Sequence, residues 1–346
     1  LFTEPVDRAK AMGVFGFVCS AGGSIGVLLG GVLTNALDWH WIFLVNVPLG
    51  VLVFALCMRL LPHAPGTSIN RDLDVAGAVC VTASLMLAVY AIVNGNDAGW
   101  RAIQTVALLV IALVLLVIFI VIEARVRAPL MPLGLFRSRN VTTANIVAVL
   151  WAAAMFAWFF ISALYLQLVL GYSPLQVGLA FLPSNLIMGA FSLGLSAKLV
   201  LRFGFRPPLT IGLLCATVAL LLFARAPVQG GFIVDVLPPM LLLGVGAGMA
   251  FNPLLLAAMS DVATSESGLA SGIVNTSFMM GGALGLAILA SLAGLRTRHM
   301  LEAGAEQIVA LNAGYQLAFL AGAFSAAAAM LIGAMMLRTA ARRSSH

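Results

Sequence analysis

Residues 11–37 carry no charged residue, and neither do residues 102–122, which read AIQTVALLVIALVLLVIFIVI. A helix rising 1.5 Å per residue needs ~20 apolar residues to cross about 30 Å of hydrocarbon, so each stretch is long enough to span a bilayer. The composition agrees. The chain is 62% hydrophobic and 9% charged, with a mean hydropathy of +1.10, whereas a soluble domain carries about 25% charged residues. The strand-type alternation that marks a membrane barrel is missing. Helices are the other way to satisfy every backbone group in lipid. The expected fold is therefore an all-α integral membrane bundle.

Hydropathy and punctuation give about ten spans, over residues 12–36, 40–61, 74–94, 103–123, 141–170, 174–200, 207–226, 232–259, 267–294 and 313–338. With residues 1–11 placed in the cytoplasm, 18 lysines and arginines are available to test the parse. All but Arg101, Arg225, Arg296 and Arg298 fall on the cytoplasmic side. That is a strong positive-inside bias, and it places the C-terminus in the cytoplasm. The net charge of +6 is then a property of cytoplasmic loops. No basic helix interleaved with stacking aromatics suggests nucleic acid.

Helix ends are signalled locally. Ser173-Pro174-Leu175-Gln176 combines an N-cap serine, a first-turn proline and a capping-box glutamine, and Asp74 can cap the span that follows it. Trp39, Trp41 and Trp100 lie at outer ends, where indole rings favour the headgroup region. The segment EARVRAPLMPLGLFRSR (123–139) reads either as an interfacial amphipathic piece or as a connector between two bundles. Cys19, Cys57, Cys80 and Cys215 form no C-x-x-C pair and read as small buried hydrophobes. The four histidines are scattered, so neither a metal nor a cofactor is expected.

Gly22 to Gly31 reads GGSIGVLLGG. A phosphate-binding loop would need a preceding strand, or a G-K-[ST] sequence, and neither is present. Gly22, Gly26 and Gly30 instead form a stripe four residues apart, the spacing that lets two helices approach closely in lipid. Together with Gly13 and Gly31 the spacing resembles the antiporter motif G(x)8G(x)3GP(x)2GG of major facilitator superfamily exporters, with Val27 where the motif has proline. The segments DWHWIFLVNVPLG (38–50), PLMPLGLF (129–136), YLQLVLGYSPLQVGLAFLP (165–183), GLASGIVNTSFMMGGALGLAIL (268–289) and NAGYQLAF (312–319) resemble, in order, the fourteen-span drug:proton antiporters of that superfamily.

The resemblance implies an organisation and a function. Residues 1–61 would be the last two helices of an N-terminal bundle, 62–126 two extra central helices, and 127–346 a six-helix C-terminal bundle. The chain, which begins at Leu1, would lack the family's first four helices, so about ten of fourteen spans are expected. The implied activity is proton-coupled export of lipophilic or cationic drugs across the inner (cytoplasmic) membrane by alternating access. The partners implied are the lipid bilayer, a small-molecule substrate and protons. The transporter would act as a monomer, with room for a periplasmic adaptor. Export of one metabolite class (an antibiotic, siderophore or fatty acid) is an alternative, as is a non-transporting membrane sensor. An enzyme is not expected, because there is no H-E-x-x-H, no G-x-S-x-G with a plausible partner and no intramembrane Asp pair.

Candidate substrate-cavity residues are the polar and aromatic side chains inside spans: Asn145, Trp151, Met155, Phe156, Phe159, Gln167, Asn185, Asn252, Asn275 and Met279. Aromatic rings and methionine suit varied apolar or cationic ligands. An intramembrane amide can equally join two helices. Ionisable groups within a membrane are costly and point to function, but here the acids lie almost entirely at loops and helix ends. Asp235, the deepest, is a weak proton-coupling candidate that reads more readily as a helix cap. Coupling is expected to lie in the missing N-terminal helices.

Overall fold

Long apolar runs with clear caps fold as helices, and the computed structural model shows little else. It describes residues 28–60, 74–126, 129–263 and 266–338, together with Val14, Val18, Gly22, Gly23, Ile25 and Gly26. Gly13 and Val27 lie outside the described residues. The helices are α1 (28–36), α2 (Trp41–Leu60), α3 (Val75–Ala98), α4 (Ile103–Arg125), α5 (Arg139–Leu164), α6 (Pro174–Ala190), α7 (Arg206–Phe223), α8 (Leu237–Ala258), α9 (Ser267–Glu302) and α10 (Gln307–Met336). Eight of them are long and apolar enough to cross a membrane. No strand occurs among the described residues. The chain is thus an all-helical, multi-pass membrane protein.

The start signals act as their chemistry requires. Asp74 accepts the N–H of Gly77 at 2.8 Å. At α6, the Ser173 N–H donates to Gln176 Oε1 at 2.8 Å, while the Gln176 N–H donates to Ser173 Oγ at 3.3 Å. Two N-terminal donors that a helix leaves without partners are thereby satisfied.

Helices α5 to α10 share one core around Trp151, Trp158, Tyr165, Phe181, Phe223 and Phe319, all fully buried. Glycine sets the closest approaches. A Cβ on Gly212 of α7 would lie 2.8 Å from the carbonyl oxygen of Gly246 on α8, and one on Gly246 would meet the Gly212 carbonyl at the same distance. On α9, a Cβ at Gly281 would sit 2.5 Å from the Val149 Cα of α5. Such contacts replace the hydrophobic driving force that lipid does not supply.

Helices α3 and α4 pack on each other, and α3 docks on α9. Ser84 Oγ donates to the Ala112 carbonyl at 2.7 Å inside the hairpin. At the far end of α3, Asn96 Nδ2 donates to the Ser291 carbonyl at 3.0 Å, and Ser291 Oγ donates to Asn96 Oδ1 at 2.9 Å. Arg298 adds bonds to Asp97 and to the Asn96 carbonyl. Helix α2 has no buried residue.

Three helical paths include a π turn: Tyr165–Val169 after α5, Phe191–Leu195 after α6, and Phe232–Val236 before α8. The turn after α6 leads into Ser196–Phe203, so the span expected over 174–200 is continuous but wider at its middle. The spans expected over 267–294 and 313–338 differ more. Helix α9 runs on to Glu302 and α10 begins at Gln307, reversing at Gly304 with φ +85°. Charge at Arg296 and Arg298 ends the apolar run that hydropathy detects, but it does not end a helix. At 36 residues, α9 is about 54 Å long and outreaches the hydrocarbon.

The segment 129–138 is a connector folded against the bundle. Its 3-10 turn, Leu133–Arg137, buries Leu135 against Val141 and Ile273. Glu123 at the end of α4 is buried and accepts the Met131 N–H at 3.0 Å.

Candidate functional site

A cleft of about 730 Å³ lies where α1 and the start of α2 meet α5 and α6. Its position follows from one face of α5, on which Met155, Phe156, Phe159, Phe160 and Ala163 recur at helical spacing and which the π turn after it continues to Gln167, and one face of α6, formed by Pro174, Val177, Gly178 and Phe181. Gly30, Gly31, Thr34, Trp39 and Ile42 form the opposite wall, and Leu286 of α9 completes the lining.

The wall is aromatic and almost wholly apolar. Phe159 stacks on Phe181 with ring centroids 5.5 Å apart and 13° between planes. Phe156 meets Phe278 edge to face at 6.1 Å. Among the described lining residues, Thr34, Gln167 and the indole of Trp39 carry polar groups, and none has a titratable side chain. Mostly apolar clefts of ~300–1,000 Å³ with a few polar groups are the usual form of a small-molecule site. A cation could rest against the ring faces here without a carboxylate.

Trp39, at the mouth, is set by a short turn. The backbone N–H of His40 donates to Asp38 Oδ1 at 2.8 Å and holds the Asp38 carboxyl below its ordinary range. The His40 ring stacks against Trp39 with centroids 3.8 Å apart.

The glycine motif contributes unevenly. A Cβ on Gly31 would lie 2.7 Å from the Pro174 carbonyl oxygen, so α1 touches the first turn of α6 at this point. A Cβ on Gly22, Gly26 or Gly30 would meet nothing within 4 Å. Gly22, Gly26 and Gly30, the stripe expected to pack closely, thus make no close approach, and among the described motif glycines the contact falls on Gly31 beside it.

Of the expected cavity residues, Met155, Phe156, Phe159 and Gln167 come together in the cleft. Asn145 lies elsewhere, buried between α5 and α9. It donates to its own helix at Val141 and accepts Ser277 Oγ at 2.7 Å. Trp151 is fully buried in the core. Asn185 and Asn252 are each 2% exposed, with no partner for either amide atom. Asn185 sits one turn deeper than Phe181 on the α6 face that lines the cleft. Asn275 donates to the Ser271 carbonyl of its own helix at 2.9 Å. Met279 is 55% exposed and outside the cleft. Asp235 Oδ2 accepts the Gly231 N–H at 2.8 Å, the geometry of a cap.

Trp39, Ile42, Phe160, Gly178 and Phe181 line the cleft without having been singled out as cavity candidates. The α6 members were findable, because Pro174, Val177, Gly178 and Phe181 recur at i, i+3, i+4 and i+7, one stripe of a helix.

Residues 1–286 match the profile of the Major Facilitator Superfamily. The chain belongs to that superfamily. It is 36% identical to the puromycin resistance protein pur8 of Streptomyces alboniger over 84% of its own length and 58% of the relative's. It is 34% identical to the cephamycin export protein CmcT of Amycolatopsis lactamdurans, over 86% of the chain and 61% of that protein. With the MFS-type transporter EfpA of Mycobacterium tuberculosis the identity is 32%, over 97% and 64%. The chain therefore spans about three fifths of the length of these curated relatives.

Proposed function

We propose that this major facilitator protein exports lipophilic compounds, cationic ones included, in exchange for protons, and that it is a transporter and not an enzyme. The observation that carries the reading is the aromatic cleft between α1 and the α5–α6 face. Stacked rings and Met155 accept varied apolar shapes, and Gln167 and Thr34 offer the sparse hydrogen bonding such ligands need. Two relatives, named for puromycin resistance and cephamycin export, support drug export as the class. Because both names refer to single antibiotics, a dedicated antibiotic exporter is the second reading.

In the proposed cycle the cleft opens alternately to the two sides as the bundles rock, a shift in population between two states that ligand and proton bind unequally. The charge pattern supports a cytoplasmic C-terminus in the inner membrane. The motif glycines Gly13, Gly22, Gly26, Gly30 and Gly31, with Val27, would form the face that seals one side. Asp235 is engaged as a cap, so we place the proton-carrying carboxylate outside the described residues.

The test is transport by the chain in proteoliposomes under an imposed pH gradient, with puromycin and a lipophilic cationic dye as probes. Gradient-driven movement of both supports broad export, and movement of puromycin alone supports the dedicated reading. If neither compound moves while the protein remains folded, the export reading is wrong and a sensor role gains ground. Phe159→Ala removes the ring stacked on Phe181 and is expected to raise the half-saturating dye concentration several-fold, matching the ~0.5–1.5 kcal/mol of an aromatic pair.

A further inference from the structure

A second cleft, of about 340 Å³, lies between α7, α9 and α10, at the end of the bundle where Arg298 meets Asp97. Leu221, Leu317 and Leu320 contribute apolar walls, and Arg225, Arg296 and Gln316 contribute polar ones. The two arginines are out of keeping with the rest of the chain. Basic residues gather at the other end, and Arg101, Arg225, Arg296 and Arg298 are the exceptions. Arg298 is engaged by Asp97 and the Asn96 carbonyl. Among the described residues the remaining ion pair joins His40 to Asp38, so neither Arg225 nor Arg296 has an acidic partner.

The site is also held in place. Asn312 Nδ2 and Gln316 Nε2, both from α10, donate to the Ala226 carbonyl at 3.1 and 2.9 Å. This pins the turn after α7, and with it the backbone of Arg225. Arg296 extends from the part of α9 that outreaches the apolar run, which puts its guanidinium at headgroup depth while the leucines stay in hydrocarbon.

We propose that this groove binds an anionic phospholipid, with Arg225 and Arg296 on the phosphate and an acyl chain along Leu221, Leu317 and Leu320. A guanidinium is a planar fork of donors matched to phosphate oxygens. Free phosphate would satisfy the arginines but leave the leucines unused. A zwitterionic lipid would cover the leucines but bring its own cation beside two others. An anionic lipid meets both requirements, its phosphate oxygens for the two guanidinium forks and its acyl chain for the leucines. The proposal does not depend on the export reading.

The test measures lipid retention by native mass spectrometry and thermal stability for the purified full chain with phosphatidylglycerol, phosphatidylcholine or inorganic phosphate. Phosphatidylglycerol is expected to remain bound and to raise the midpoint, while the other two do neither. Arg225→Gln with Arg296→Gln should weaken phosphatidylglycerol binding by about thirty-fold, from roughly 1 kcal/mol per basic residue, and Arg101→Gln should leave it unchanged. Equal retention of the two lipids by the unaltered protein would overturn the proposal even if the double variant failed to fold. So would a double variant that kept its phosphatidylglycerol, or a stabilisation that inorganic phosphate alone reproduced.

Discussion

Ser277 on α9 donates its hydroxyl to the side-chain oxygen of Asn145 on α5 across 2.7 Å. The amide of Asn145 is turned back on its own helix at the Val141 carbonyl, so this intramembrane asparagine is engaged on both sides and joins two helices. Ser277→Ala should lower unfolding stability by about 1 kcal/mol, between the ~0.6 kcal/mol average for interhelical bonds in membranes and the larger cost of a buried acceptor left empty. Asn145→Leu combined with Ser277→Ala should cost less than the sum of the single changes. Additive losses in a thermal-unfolding cycle would show that the two do not interact.

Gly31 and Gly30 are neighbours with opposite expectations. A side chain at Gly31 collides with the Pro174 carbonyl, whereas one at Gly30 meets nothing within 4 Å. Gly31→Val is expected to push α1 away from α6, reshape the cleft and abolish drug resistance in cells at unchanged expression. Gly30→Ala should leave resistance near normal.

The α5–α9 contact offers the same comparison for stability. Gly281→Val drives a side chain into the Val149 backbone, and overpacking of this kind costs about 1–3 kcal/mol, more where backbone must yield. Gly272→Ala, on the same helix with nothing within 4 Å, should be neutral or slightly stabilising, because alanine is the better helix former. Detergent-solubilised melting curves of the two variants would separate them.

Asp235→Asn keeps an oxygen able to accept the Gly231 N–H. Transport driven by a pH gradient should therefore persist at near-normal rate in this variant. Loss of gradient dependence with transport otherwise intact would make Asp235 the proton carrier after all.

Much of this fold can be read from residues whose chemistry is local. Asp74 and the Ser173–Gln176 pair act within one turn, so their roles need no tertiary information. The aromatic face of α5 is equally legible, because Phe156 and Phe159 belong to one helical stripe. What sequence does not carry is the identity of the partner. Gly30 and Gly31 look alike until α6 is placed beside one of them. Asn145 and Gln167 are both amides in one span, yet Ser277 is opposite the first and the cleft is beside the second. The end of α9 was missed for another reason, since hydropathy measures preference for lipid while helicity continues beyond it to Glu302.

The clasp of Asn96 and Asp97 on Ser291 and Arg298 has a mechanical consequence. On the alternating-access cycle proposed above, a hairpin latched at its far end to α9 would travel with the α5–α10 core as cargo. Any sliding between the two halves in that cycle would then be absorbed on the N-terminal side of Asp74, and the α3–α4 pair would add mass to one moving body without adding a joint.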